Sequence, residues 1–196
     1  MNVSGSTGDN TLNGGEGNDI LIATDSAGNN LLYGGDASYF GTESDRDTLN
    51  VSGSTGNNTL NGGEGNDILI ATDSTGNNLL YGGNGNDSIY GGLGTDTFAY
   101  NSYNEGVDSL YNFKPTKDRI QVSITGFGGG LSIGSLQTSQ FTIGASATTS
   151  VQRFIYNSAT GGLYFDHDGS ASGFTQVKFA QLSAGLSLSN DNFVVA

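Results

Sequence analysis

The first hundred residues alternate between short apolar triplets and glycine-rich turns, and most turn-plus-triplet units are nine residues long. Such a triplet is too short for a helix, and it predicts a very short strand whose central side chain points inward. We expect these central residues to stack as the interior of a solenoid, in the order Leu12, Leu21, Leu31 or Leu32, Leu49, Leu60, Leu69, Leu80, Ile89 and Phe98.

The repeated unit reads G-G-x-G-x-D-x-U-x, in which U is a large apolar residue. Glycine suits such a turn because it adopts positive φ readily and leaves carbonyl groups exposed. The unit is intact at residues 14–22, 62–70, 82–90 and 91–99. Looser copies occupy residues 5–13, 25–33, 53–61 and 73–81, and one more is split by the insertion ASYFGTES at residues 37–44.

This nonapeptide resembles the repeat of the repeats-in-toxin (RTX) family, a calcium-binding parallel β-helix repeat. The resemblance covers about residues 5–99, where four intact copies stand in register with the degenerate ones. It implies an all-β fold, a parallel β-roll (right-handed β-solenoid), which we expect over residues 1–119. Residues 120–196 are expected to form a β-rich C-terminal cap that covers the open end of the roll.

The last polar residue of each turn separates the turns into two sets. Each nonapeptide makes half a coil, so every second turn stacks. The even turns end in an aspartate column of Asp19, Asp47, Asp67 and Asp87, which a further turn continues with Asp108. The odd turns end in an asparagine column of Asn10, Asn30, Asn58 and Asn78, followed by Asp96. We expect calcium along the aspartate edge, because it takes six to eight oxygen ligands, and neutral amide hydrogen bonds along the other.

The resemblance also implies the ligands of each ion. An RTX ion lies between two stacked turns and takes both aspartates, carbonyls from positions two and four of the earlier turn, and carbonyls from positions one and three of the later turn. One such site here is Gly63, Gly65 and Asp67 with Gly82, Asn84 and Asp87. A second is Gly15, Gly17 and Asp19 with Gly34, Asp36 and Asp47, and a third is Gly35, Asp45 and Asp47 with Gly62, Glu64 and Asp67.

Two more sites are expected where the roll ends. The segment EGVDSLYNF places Asp108 opposite Asp87, and the earlier turn offers Gly83 and Gly85. The segment KPTKDRIQV places Asp118 opposite Asp96, where Lys114 and Lys117 are alternatives to an ion. A metal-free solenoid whose aspartates only cap turns is the competing interpretation, and we prefer it for the odd side.

Charge and composition limit the function. Residues 1–113 contain 15 acidic residues and one base, Arg46, so this part repels nucleic acid and anionic membranes and attracts cations. No apolar stretch is long enough to span a bilayer. The chain has no cysteine and one histidine, His167, and it lacks HExxH, G-x-S-x-G and phosphate-loop motifs. We therefore expect no catalytic residues and no enzyme.

The C-terminal part reads as irregular β structure with a hairpin around SATGG. Asp166 and Asp168 follow as a fragment of a calcium loop, for which a simple turn is the preferred interpretation. The ending SLSNDNFVVA resembles the tail of type I secretion substrates, and the N-terminus shows no secretory signal peptide.

Two functions follow from these observations. The first is a calcium-binding RTX module that folds on calcium outside the cell and accompanies export by a type I secretion apparatus. The second is an extracellular structural or adhesive protein of the surface-layer, adhesin or ice-binding type. Its motivation is the apolar outward positions Ile20/Ile22, Leu31/Tyr33, Ile68/Ile70 and Leu79/Tyr81, which predict self-association or contact with an upstream domain. The alternation with Thr-Leu-Asn triplets argues against ice binding.

Overall fold

The structure, a computed structural model, describes residues 1–35 and 45–196. It contains two sheets, and the alternate triplets of the repeat enter them in turn. The first sheet holds the odd triplets, in the spatial order β1 (Asn10–Asn13), β3 (Asn30–Tyr33), β5 (Thr59–Glu64), β7 (Leu79–Asn84), β9 (Thr97–Tyr100), β11 (Arg119–Val122), β17 (Phe193–Val195) and β12 (Gly134–Ser135).

The second sheet holds the even triplets and most of the C-terminal strands. Its spatial order is β13 (Phe141–Ile143), β14 (Phe154–Asn157), β15 (Gly162–Phe165), β16 (Val177–Gln181), β10 (Asp108–Tyr111), β8 (Ser88–Tyr90), β6 (Ile68–Ile70), β4 (Thr48–Asn50) and β2 (Ile20–Ile22). A short helix α1 (Ile124–Phe127) and 3-10 turns at Thr138–Gln140 and Asn190–Asn192 complete the described elements.

All pairings among the repeat strands are parallel, which confirms the parallel β-roll. In the first sheet Leu12 pairs with Leu32, Leu32 with Leu60, and so on through Leu80 to Phe98. These side chains are at most 3% exposed. Leu32, and not Leu31, is therefore the inward residue of its triplet, and the nine predicted interior positions all lie in the core.

The C-terminal strands extend both sheets of the roll. Strand β16 pairs in parallel with β10, and β17 pairs in parallel with β11. The boundary predicted between residues 119 and 120 thus falls inside β11. The hairpin predicted around SATGG is present as antiparallel β14 and β15. Beneath it lies a cluster of buried aromatic rings: Phe127, Phe154, Phe165 and Phe179.

Candidate metal-binding edge

The aspartate column is a continuous ladder along the even edge. Asp47, Asp67 and Asp87 are at most 1% exposed and Asp108 is 2% exposed. The backbone N–H of each column member donates to Oδ1 of the next: Asp19 to Asp47 at 2.7 Å, Asp47 to Asp67 at 2.8 Å, Asp67 to Asp87 at 2.7 Å and Asp87 to Asp108 at 3.0 Å. One carboxylate oxygen of each acceptor is therefore fixed by the preceding turn of the column.

The second carboxylate oxygen of these aspartates, Oδ2, has a different environment from Oδ1. Within the described residues, Oδ2 of Asp47, Asp67 and Asp87 is buried and accepts no hydrogen bond. A Cβ placed on Gly62 would contact both Asp67 Oδ2 and the carbonyl of Gly82, so these two acceptors converge on one point. Two buried acceptors without a donor between them repel each other, and a cation is the group that satisfies both.

The same convergence recurs in the other even turns. A Cβ on Gly34 would contact Asp47 Oδ2 and the carbonyl of Gly62, and one on Gly14 would contact Asp19 Oδ2 and the carbonyl of Gly34. In each case the carbonyl is the one predicted from position one of the later turn. The residues present thus fit a chain of oxygen-ligated ions.

The asparagine column shows what an uncharged side chain does at the same place in the coil. Asn58 Nδ2 donates to Ser54 Oγ at 2.8 Å, to the carbonyl of Gly56 at 2.8 Å and to Asn78 Oδ1 at 2.9 Å. The amide nitrogen therefore lies among three oxygens, one from a neighbouring turn. An ionised aspartate in its place has no proton to donate, so the same oxygens need either a proton on the carboxyl group or a bound cation between them.

The burial of the aspartate column perturbs its ionisation. Burial raises the pKa of Asp67 to about 8, against the lowering effect of the Asp47 N–H, and the charges of Asp87 and Asp47 raise it further. Burial also raises the pKa of Asp47, Asp87 and Asp108. The ion-free column therefore disfavours its own charged form, which a divalent cation would stabilise.

Several of the predicted carbonyl ligands also accept backbone hydrogen bonds. The carbonyl of Gly62 accepts from Gly35 N at 3.0 Å, that of Asn84 from Gly65 N at 2.8 Å, and that of Asp45 from Asn66 N at 3.1 Å. Each carbonyl retains a second lone pair for a metal. Gly63 and Glu64 pair with Gly83 and Asn84 where β5 and β7 run into the turn.

The remaining predicted ligands divide into three groups. Gly15, Gly17 and Asp19 lie in the stacked turn before Asp47, while Asp36 lies outside the described residues. The carbonyl of Gly85 faces Gly106, in the turn that carries Asp108. Within residues 1–35 and 45–196, no three His, Cys, Asp or Glu side chains form a group able to hold a metal, so a site there depends on backbone carbonyls.

The end of the odd edge is satisfied by protein donors. Asp96 Oδ2 accepts from Gly92 N at 2.6 Å, and Asp118 Oδ2 accepts from Lys114 N at 2.7 Å. The ammonium groups of Lys114 and Lys117 donate to the carbonyls of Gly92 and Leu93. Here the lysines supply positive charge and backbone N–H groups already donate to both carboxylates, which favours the lysine alternative over an ion at Asp96.

The loop after β15 forms a turn, as preferred from the sequence. Asp166 Oδ1 accepts from the backbone N–H groups of Asp168 and Gly169 at 3.2 and 3.0 Å. Asp168 Oδ2 accepts from Gly173 N at 2.9 Å. The loop thus uses its carboxylates to hold its own backbone.

Sequence reasoning missed the serines that support the asparagine column. Ser54 and Ser74 are fully buried, and their hydroxyl groups lie 3.1 Å apart. The signal was present, since each serine stands four residues before its asparagine. It also missed Tyr100, which is 3% exposed beside the last aspartate of the column.

Comparison with known proteins supports the repeat assignment. Residues 2–25, 22–38, 50–73 and 70–98 match the family described as the RTX calcium-binding nonapeptide repeat, in four copies. Residues 2–38 and 50–98 are therefore similar to the RTX calcium-binding repeat, and the described repeat strands form a parallel β-roll. RTX repeats are typical of extracellular proteins, and the repeat itself is typically non-catalytic.

A solved structure and two negative results complete the comparison. The chain is similar to the AlgE6R3 subunit of the mannuronan C5-epimerase from Azotobacter vinelandii, known from a solution structure. The identity is 27%, the match covers 81% of this chain and 85% of that one, and the TM-score is 0.47. No curated protein matches the chain at a significant level. Among the described residues, no helix has the length and apolar character needed to cross a membrane.

Proposed function

We propose that the chain is a calcium-dependent folding module of a secreted protein, with no catalytic activity of its own. In this proposal residues 1–119 form the calcium-binding roll and residues 120–196 the cap. The observation that carries it is the row of buried Oδ2 atoms of Asp47, Asp67 and Asp87, which have no hydrogen-bond partner among the described residues. Those of Asp47 and Asp67 converge on the carbonyls of Gly62 and Gly82.

Calcium is the ion expected to satisfy these oxygens. It accepts a mixture of carboxylate and carbonyl ligands in adaptable geometry, whereas magnesium requires near-ideal octahedral geometry and gives up water reluctantly. Burial first, and the charges of neighbouring carboxylates second, raise the pKa values of Asp67 and Asp87, so gathering these groups in the ion-free roll opposes its folding at neutral pH. Binding and folding are then one event, because the stacked turns that supply the ligands exist together only in the folded roll.

Export by a type I secretion apparatus is the second part of the proposal. The tail that resembles a secretion signal includes Phe193–Val195, which form β17 and pair with β11 in the folded protein. Phe193 and Val195 are 1% exposed, so the folded state hides this segment. A signal of this kind is accessible only if the chain stays unfolded where calcium is scarce and folds after export.

The test is far-UV circular dichroism during calcium titration of chelator-stripped protein, with magnesium as the control ion. We expect a cooperative gain of β signal with calcium alone. Asp67→Ala combined with Asp87→Ala should abolish that gain, whereas Asn58→Ala combined with Asn78→Ala should lower stability without removing the calcium requirement. A fully folded ion-free protein, or a double aspartate variant that still responds to calcium, would contradict the proposal.

A binding function of the outer face is the second candidate. On the second sheet, Ile20 is 60% exposed, Tyr111 is 43% exposed, and the rings of Tyr90 and Tyr111 stack at 4.5 Å. Self-association through this face predicts a larger mass by light scattering in calcium, and Ile20→Ser should reduce it. A monomer before and after the substitution would remove this version of the hypothesis.

A further inference from the structure

Tyr100 is a buried tyrosine at the end of β9 whose hydroxyl group lacks a hydrogen bond. The side chain is 3% exposed, and in the described part of the chain its Oη has no partner of normal geometry. A buried hydroxyl without a partner destabilises the folded state, so its retention inside the protein calls for a physical reason.

The hydroxyl faces the last carboxylate of the aspartate column. Burial raises the pKa of Tyr100 far above its ordinary value, and the neighbouring charge of Asp108 raises it further. Asp108 is 2% exposed and already accepts from Asp87 N at 3.0 Å, while Asp87 Oδ2 is unpaired within the described residues. Three buried oxygen groups thus meet where the last aspartate pair lies.

The ring of Tyr100 contacts the core of the cap. It packs edge-on against Phe179 of β16, with the ring centroids 5.1 Å apart and the planes at 83°. The next residue, Ala180, pairs with Asp108 in the second sheet. Phe179 in turn packs against Phe127 and Phe154. One side chain therefore touches both the end of the aspartate column and the aromatic cluster of the cap.

We propose that Tyr100 is a positioning residue of the last divalent-cation site of the roll. Its hydroxyl donates to the Asp108 carboxylate, which together with Asp87 holds the ion. Because its ring contacts the core of the cap, binding of the ion changes how the cap packs. This inference rests on the proposed binding of calcium along the aspartate column. It assigns to the last site a role that the sites within the repeat do not have, because those lie between identical turns.

The test compares Tyr100→Phe with Tyr156→Phe. Both residues are buried tyrosines, but Tyr156 Oη donates to the carbonyl of Ser183 at 2.7 Å, within the cap. The chain has no tryptophan, so terbium emission excited near 280 nm reports on tyrosines close to bound ions. We expect Tyr100→Phe to lose part of this emission and to weaken one calcium-binding step about tenfold, the usual effect of removing a hydrogen bond to a charged group. Tyr156→Phe should change neither quantity.

A second variant separates the two parts of the side chain. Phe179→Leu removes the ring contact and keeps the hydroxyl, so it should preserve the terbium emission while reducing the calcium-induced change in near-UV circular dichroism that reports on the cap. If Tyr100→Phe fails to fold in calcium, loss of the near-UV change in Phe179→Leu, with its terbium emission intact, still supports the inference.

The outcomes separate this inference from the proposed function. A wild-type protein that binds no calcium would overturn both. A wild-type protein that binds calcium, with Tyr100→Phe matching it in affinity and terbium emission, would overturn only the role of Tyr100. Equal losses in Tyr100→Phe and Tyr156→Phe would also overturn it, because they would reflect general destabilisation.

Discussion

Replacing Asp67 by asparagine exchanges one carboxylate oxygen for an amide NH2 group and keeps the shape of the side chain. Asp67 lies in the middle of the aspartate column and is 1% exposed. Asn58 on the opposite edge shows how the new amide nitrogen can be used, because it donates to a carbonyl of its own turn and to the next column member. We expect Asp67→Asn to change stability in opposite directions with and without calcium.

Without calcium the exchange should stabilise the roll. Burial raises the pKa of Asp67 to about 8, from 3.8 for an ordinary aspartate. The native state therefore binds the proton more tightly than the unfolded state, and stability falls as the pH rises between these two values. At about pH 7.5 the difference from 3.8 corresponds to about 5 kcal/mol, at about 1.36 kcal/mol per pH unit. Asparagine does not ionise, so the variant should regain a stability of this order.

With calcium the exchange should destabilise the roll. Asp67 belongs to two predicted sites, one with Asp47 and one with Asp87. An ion present at about a hundred times its dissociation constant stabilises the folded state by about 2.7 kcal/mol. Loss of both sites should then remove about 5 kcal/mol of calcium-dependent stabilisation.

The assay is urea unfolding followed by circular dichroism, in saturating calcium and in excess chelator with the osmolyte trimethylamine N-oxide added to fold the ion-free chain. Titration calorimetry gives the calcium stoichiometry. Asp73→Asn is the matched control, because Asp73 is exposed in a loop of the odd edge and lies outside the column. It should leave both curves and the stoichiometry nearly unchanged. Destabilisation of Asp67→Asn in chelator, or an unchanged stoichiometry in calcium, would refute the reasoning.

Three further predictions concern pH, the asparagine column and the turns. The raised pKa values of the column predict that the ion-free protein loses thermal stability as the pH rises from about 4 to about 8, whereas a protein melting at one temperature throughout this range would contradict them. Asn58→Asp should destabilise the ion-free protein by about 3 kcal/mol or more in the same osmolyte-supported urea unfolding, because it removes both amide N–H donors from the three oxygens around them and buries a charge. Gly65→Ala should be far more destabilising than Gly15→Ala: both have positive φ, at +110° and +93°, but a Cβ on Gly65 would also strike the carbonyl of Asp45. Equal melting temperatures for the two variants would contradict this.

The parallel roll and the two columns could be predicted because the nine-residue period fixes which residues stack. Column membership also determines the register: Asn10 pairs with Asn30, which places Leu32 opposite Leu12 and turns Leu31 outward. A single triplet does not show whether Leu31 or Leu32 points inward, because the register becomes clear only when stacked triplets are compared. The hairpin of the cap could be predicted as well, since its strands are adjacent in the chain.

The supporting contacts could not be predicted, because they depend on distances between coils or between distant segments. The sequence predicts Lys114 and Lys117 as alternatives to an ion. Only the structure shows that Gly92 N and Lys114 N donate hydrogen bonds to the carboxylates of Asp96 and Asp118. The contact of Tyr100 with Phe179 joins residues far apart in sequence. No local pattern in the chain encodes such a contact.

The continuity of both sheets into the cap gives the roll a direction of growth. In a solenoid each coil contacts only its neighbours, so folding that starts at one place spreads from coil to coil. The antiparallel hairpin of β14 and β15 closes through contacts between adjacent segments, and its sheet leads through β16 to β10 and then to the repeat strands. The cap can therefore fold first and serve as the template on which the coils form, one after another, toward residue 1. The order of assembly then runs opposite to the order of synthesis.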